Sequence, residues 1–302
     1  MPTKKAKRDT SAATAANARN RLMSQFEKTG LLRPVTEVDL KMPNGELVPN
    51  KKAIIYADDE SYISTVGHRY TVIQNEQVMN KLAIALSESG LKLKGCSVDP
   101  STSATNARNL IRINLPEHKI ETSKGDTTAL QIVARNSYDG SWKQMLDIGG
   151  FRMACANGQV WGDIDNICTN RHTAGYDVAM MAEYLSHAID VFKEMGAQWL
   201  TMKKTKLSQT KAEDLILQYL GKKFVDKEDR ARILTSERST LVQSMMESWV
   251  SHKAELGTNV FALYNTLTAH ATHTEDVTSP ADASTILGKR VVQTLQPYLR
   301  AA

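Results

Sequence analysis

Apolar positions along this chain recur with two different periods, and the change falls near Gly175. Before it, short runs alternate apolar and polar residues as strands do; after it, apolar residues return every three or four positions as in helices. Arg21–Lys28 reads as a short helix using Leu22 and Phe26 and stopping at Gly30. Strand pieces follow at Glu37–Leu40, Glu46–Val48 and Ala53–Ala57, with Pro43-Asn44-Gly45 turning between the first two. Tyr62–Gln74 is extended, with Gly67 marking a turn or bulge. Asn75 is placed to cap a helix whose stripe is Val78, Leu82, Ala85 and Leu86, and Gly90 closes it. Leu91–Lys94 and Ile111–Leu115 alternate, Leu130–Arg135 and Trp142–Ile148 form a hairpin around Asp139-Gly140, and Met153–Cys155 with Gln159–Trp161 add a further pair.

Beyond Gly175 the residues Val178, Met181, Leu185, Ala188, Phe192, Met195 and Trp199 make a heptad seam suited to a partner helix or to the sheet. Thr210–Glu213 is a capping box for a helix ending at Gly221. A third helix spans Arg238–Leu256 with Leu241, Met245 and Trp249 inside, and a fourth covers Asn259–His270. After a loop at Thr274–Asp282 containing Pro280, the last helix reaches Leu295, before Pro297. The expected class is α+β: an antiparallel sheet with a packed helix, followed by a helical C-terminal region. Residues 1–20 are a disordered basic arm, 21–175 the α+β domain and 176–302 a helical region packed on it or mediating oligomer contacts.

Composition narrows this picture. With 24% charged and 41% hydrophobic residues, the chain is neither wholly disordered nor membrane-embedded. No apolar run approaches the roughly 20 residues that span a bilayer, and no apolar segment behind the basic N-terminus suggests a secretory signal. The three cysteines, Cys96, Cys155 and Cys168, are odd in number and far apart, as expected of free thiols in a reducing cytosol. Of the net +5, residues 1–34 contribute eight cations against Asp9 and Glu27, leaving 35–302 at −1. A basic arm suits nucleic acid through counterion release, and equally serves as a solubilising tail.

Catalytic signals are absent. There is no phosphate loop and no dinucleotide glycine pattern. Cys155, Cys168 and His172 lack the paired spacing of a zinc site, so neither metal nor cofactor is expected, and His270 with His273 reads as capping or surface.

The densest stretch is Leu130–Trp161, which holds turn formers, cations and aromatics together. Cations on strands beside rings are how many proteins track a single strand, with phosphates on the cations and bases on the rings. Lys92, Lys94, Arg112, Arg135 and Lys143 are the strand cations; Tyr70, Tyr138, Trp142, Phe151 and Trp161 are the stacking candidates. The plain alternative is solvated lysines and core tryptophans. A two-residue Asp139-Gly140 turn would pair Arg135 with Gln144 and point Lys143 to the opposite face; a three-residue loop with a bulge would bring both to one face.

Several motifs resemble the phage/plasmid-like proteins of unknown function found in phages, prophages and plasmids. They are Val66-Gly67-His68-Arg69-Tyr70 with Gln74-Asn75; Arg135–Ser141, similar to a central Asn-Ser-x-Asp-Gly-Ser motif; and Arg152 with Cys155-Ala156-Asn157-Gly158. Arg171-His172-Thr173 and Tyr264–Thr268 also fit, so the likeness covers about Tyr62–Val292. It implies a mobile-element origin, and a remoter likeness of core layout to annealing proteins such as Red-beta, RecT and Erf. The leading expectation is a phage-type protein binding single-stranded DNA, and annealing it without nucleotide hydrolysis, in the cytoplasm of a bacterial host. Arg69, Lys92, Lys94, Arg112, Arg135, Lys143 and Arg152 would serve phosphates, Tyr138 and Trp142 bases. A homo-oligomeric ring or filament is expected, with no membrane partner. The alternative, resting on the heptad seam and the near-neutral body, is an interaction protein binding a host or phage protein in an anti-defence or assembly role; an enzyme of unrecognised type is the third reading.

Overall fold

The structure, a computed structural model, describes residues 4–153, 157–160, 168–170, 178–236, 240–273 and 280–299. Strict alternation at the centre of the chain builds a large antiparallel sheet in the order β4 (Ser97–Thr102), β5 (Arg108–Ser123), β6 (Asp126–Ser137), β7 (Gln144–Arg152), β8 (Asn157–Val160). The far edge of β7 is shared, with β8 pairing Gly149–Arg152 and β9 (Cys168–Asn170) pairing Gln144–Leu146. On one face stand Ile111, Ile113, Leu115, Leu130, Ile132, Ala134, Leu146 and Ile148, all buried in the main core. The sequence pattern predicts the hairpin of β6 and β7, and the strand through Ile111–Leu115 lies within β5. Leu91–Lys94 is not a strand. Leu91 is buried, but the Lys92 N–H is held by the His118 imidazole at 2.8 Å instead of by a neighbouring strand.

A smaller antiparallel sheet joins β1 (Val35–Lys41), β2 (Leu47–Tyr56) and β3 (Tyr62–Gly67) in that order. The turn at Pro43–Gly45 is where the sequence places it, while the next two strand pieces merge into β2. Val35, Ile54, Ile63 and Val66 meet Ala107 and Tyr138 of the large-sheet region in a second core.

Over residues 4–20, where the sequence leads to an expectation of disorder, the chain is helical, as part of α1 (Lys4–Lys28). Repeated Ala, Lys and Arg favour helix even where there is little to bury, and its last turns are anchored by fully buried Leu22 and Phe26. Helix α2 (Asn75–Glu88) buries Val78, Leu82, Ala85 and Leu86 as its stripe requires, and packs against α1. Asn75 does not cap it; Gln74 occupies that position, with its own amide bonded to both backbone groups of Val35.

The heptad seam divides at His187 into α3 (Val178–Ser186) and α4 (Ala188–Lys204), and Met181, Leu185, Ala188, Phe192, Met195 and Trp199 are all buried in the main core. The C-terminal helices are α5 (Gln209–Tyr219), α6 (Lys227–Thr235), α7 (Thr240–Leu256), α8 (Val260–His273) and α9 (Pro280–Leu299). Helix α6 buries no residue, so the sequence carries no apolar stripe to mark it. Ser208, two residues before the expected box, caps α5 by accepting from the Lys211 N–H. Leu241 is exposed on α7 rather than inside. Helix α9 continues past Pro297 because Leu295 is fully buried and Tyr298 and Leu299 also pack on the core. Helix α8 runs through the middle of this group, touching α4, α5, α7, α9 and β8, while α4 and α9 lie on the large sheet. The fold is therefore α+β with a helical C-terminal region packed on the sheet. Among the described residues no helix is long and apolar enough to cross a membrane.

Sheet and helix approach closely at Gly150, where an added Cβ would stand 2.7 Å from the Trp199 ring and 2.8 Å from the Thr128 methyl. Gly150→Ala is expected to lower stability by about 1–3 kcal/mol through overpacking. Gly67→Ala, with open space around it, serves as the near-neutral control; denaturant melts of both variants check the pair.

Candidate functional site

The hairpin between β6 and β7 is longer than a two-residue turn, since the last strand pair is Arg135 with Met145. Its loop is held shut by its own side chains. Ser137 Oγ accepts from the Trp142 N–H at 3.2 Å and donates to the Trp142 carbonyl at 3.0 Å. Asp139 accepts from the Ser141 N–H at 2.9 Å and pairs with Arg108 at 2.7 Å. Gly140 takes a positive φ of 74°, and its α-carbon side lies against the Tyr70 ring. Each residue of the motif thus has a structural task.

Below the loop, the motif ties three elements together. The Tyr138 hydroxyl accepts the Asn75 N–H at 3.0 Å, and the Tyr138 carbonyl accepts from Ser64 Oγ at 2.6 Å. Asn136 Nδ2 donates to the Ile73 carbonyl and to Asn75 Oδ1, while Asn75 Nδ2 donates to the Leu31 carbonyl. The Tyr70 hydroxyl donates to the Ser137 carbonyl at 2.7 Å. Burial pushes the Tyr70 and Tyr138 phenols well above the ordinary tyrosine value, so both stay neutral donors and acceptors.

The same end of the sheet carries amides where the alternation calls for core. Asn109 pairs with Asn136 across β5 and β6, and Gln144 with Asn170 across β7 and β9. Asn109, Asn136 and Gln144 are buried; Asn109 Oδ1, Asn136 Oδ1 and both ends of the Gln144 amide have no partner among the described residues. The signal that locates them is a polar residue at a core-facing position, two steps beyond Ile111, Ala134 and Leu146 in turn.

The expected nucleic-acid residues fall into separate places. Tyr138 is 2% exposed and belongs to the second core. Arg112 and Arg135 stand on the outer face of the sheet, each only 8% exposed. Arg112 bonds Ser101 at 3.0 Å and pairs with Asp99 at 3.7 Å; Arg135 pairs with Asp147. Burial, then the like charge of Arg112, pulls the Arg135 guanidinium down to about 10, still protonated at neutral pH. Arg152 is fully buried between Asp126 of β6 and Glu255 of α7, fastening the sheet to the helices. Trp142 packs on Leu110 and Val133 of the outer face. Arg69, Lys92, Lys94 and Lys143 are exposed. Lys143 lies in the hairpin loop, not opposite Arg135. Lys92, beside His118, is ten residues along β5 from Arg108 at the loop end, about 30 Å at strand rise. These cations do not form one patch.

Trp161, Cys155, His172 and the Arg171–Thr173 motif lie outside the described residues, as does the side chain of Cys168. Among the described residues no group of three His, Cys, Asp or Glu side chains is arranged to hold a metal ion. Tyr264–Thr268 lie buried on α8.

A family model described as "Domain of unknown function (DUF932)" matches residues 62–292. The chain belongs to the DUF932 family. No curated protein and no solved structure matches it. The DUF932 match opens on β3 and closes in α9, so it holds both sides of the Asn75–Asn136–Tyr138 tie. Helix α1, β1 and β2 lie outside it.

Removing only the Tyr138 hydroxyl orphans the buried Asn75 amide, and Tyr138→Phe is expected to cost about 1–3 kcal/mol. Gln144→Met deletes two buried polar atoms that find no partner among the described residues, at similar volume, and is expected to raise the melting temperature. Thermal unfolding of the two variants reads opposite signs.

Proposed function

We propose that this DUF932 chain is a phage-type single-stranded DNA-binding protein that brings complementary strands together without hydrolysing nucleotide. The supporting observation is where the charge lies. Helix α1 carries Lys4, Lys5, Lys7, Arg8, Arg19, Arg21 and Lys28 against Asp9 and Glu27, an excess of +5 that equals the net charge of the whole chain. A cationic helix neutralises phosphates and releases their counterions whatever the sequence. Exposed Arg69 and Lys143 at the loop end, and Lys92 and Lys94 at the other, extend the surface offered to the strand; the ion-paired, buried Arg112, Arg135 and Arg152 hold the scaffold instead.

The likeness to phage/plasmid-like proteins and, more remotely, to Red-beta, RecT and Erf supports the same reading. In it the protein works as a homo-oligomeric ring or filament in the cytoplasm of a bacterial host, where pairing of the bases supplies the driving force. The competing role, an interaction protein binding a protein partner, rests on the heptad seam and the near-neutral body, and Met181, Leu185, Ala188, Phe192, Met195 and Trp199 of that seam pack inside.

Binding of a labelled oligodeoxynucleotide across a salt series tests the proposal. The logarithm of the binding constant should fall steeply with the logarithm of salt. Changing Lys4, Lys5, Lys7 and Arg8 to Gln together should make the slope shallower by about 3, at roughly 0.7 for each phosphate no longer neutralised. Absence of binding by the full chain at low salt ends this reading.

A further inference from the structure

A cavity of about 260 Å³ opens where α1 ends, lined among others by Gly30, Arg33, Tyr56, Pro100, Thr102 and Asn106. Arg33 precedes β1, Tyr56 closes β2, Pro100 and Thr102 lie on the edge strand β4, and Asn106 sits in the turn before β5. The site therefore lies at the seam of the two sheets, directly beyond the basic helix.

Its chemistry is unlike the cationic surface. The Arg33 guanidinium rests over the Tyr56 ring, 3.7 Å from the ring centre. The same guanidinium reaches Asp58 at 2.6 Å and Asp59 at 2.8 Å. One cation against two carboxylates leaves this wall formally negative, so a phosphate would be repelled. Asp59, bonded by Ser61 and Arg33, falls to about 2, so the charge persists at every working pH. What the wall offers is a guanidinium lying over an aromatic ring, with Asn106 and Thr102 also lining the space.

Guanidinium planes and aromatic rings are the surfaces on which unpaired bases stack. Pockets for drug-sized ligands run to about 300–1,000 Å³, so this smaller space suits one ring system, not a whole nucleotide or a larger cofactor. Asn106 sits at a φ of 56° and lines the cavity with Tyr56, which places an amide at the edge of that space.

We propose that the cavity holds one uncharged base of the strand whose phosphates follow α1, stacked on Arg33 and Tyr56. This inference rests on the strand-binding reading above and adds a base site to it.

Two substitutions separate the site from the helix. Arg33→Gln removes the stacking cation, and Thr102→Trp fills the space from a half-exposed position on an edge strand. The wild type should bind a labelled oligonucleotide about 5- to 100-fold more tightly than the same oligonucleotide with abasic sites. Both variants should lose most of that preference. Arg33→Gln should leave the salt slope unchanged, because Asp58 and Asp59 already neutralise the charge. Retained preference in both variants, or a slope shallower by about 0.7 in Arg33→Gln as for one phosphate released, overturns the base site while strand binding stands. If neither oligonucleotide binds, strand binding fails and free nucleosides decide the cavity. Nucleoside binding that disappears in Thr102→Trp supports it, and no nucleoside binding by the wild type overturns it.

Discussion

The amide at the start of α2 sets the arrangement of everything around it. The first N–H groups of a helix have no acceptor in the helix itself, and Asn75 is only 2% exposed, so water cannot readily serve. The Tyr138 hydroxyl fills that need from a hairpin loop 63 residues away in sequence. To deliver it, the loop must fold back over the end of the sheet, closed by Ser137 and Asp139 and turned by Gly140. The small sheet is then bound to the large one through Ser64 and the second core. A motif in the stretch densest in turn formers, cations and rings is, in the described residues, the fastening of the fold.

Charge follows a similar logic. Guanidinium groups inside the body are costly unless paired, and Arg112, Arg135 and Arg152 all have carboxylate partners. They bind strand to strand and sheet to helix. Unbalanced positive charge is left to α1, outside the residues matched by the family. Scaffold and net positive charge are thereby carried by different parts of the chain, and the proposed base cavity lies at their junction.

Local patterns were legible where an element answers to its own period. The stripe of α2, the closing Gly90, the β6–β7 hairpin and the turn at Pro43–Gly45 each rest on neighbours in sequence. Misreadings arose where a distant partner decides. Four alternating residues at Leu91–Lys94 make a strand only beside another strand, and His118 takes the Lys92 amide instead. The seam of α3 and α4 shows which face is buried but not the break at His187. Pro297 marks a helix stop only when the residues beyond it have nothing to pack on.

By itself, then, the sequence determined the α+β order, the faces turned inward and the concentration of positive charge at one end, because periodicity and composition are local properties. Only the tertiary structure decided what Arg135, Tyr138 and Arg152 are for. Burial and pairing depend on groups brought together across the chain, Asp147 for the first, Asn75 for the second, Asp126 and Glu255 for the third. A cation or a ring looks the same in sequence whether it faces a ligand or its own core; the neighbour supplied by folding makes the difference.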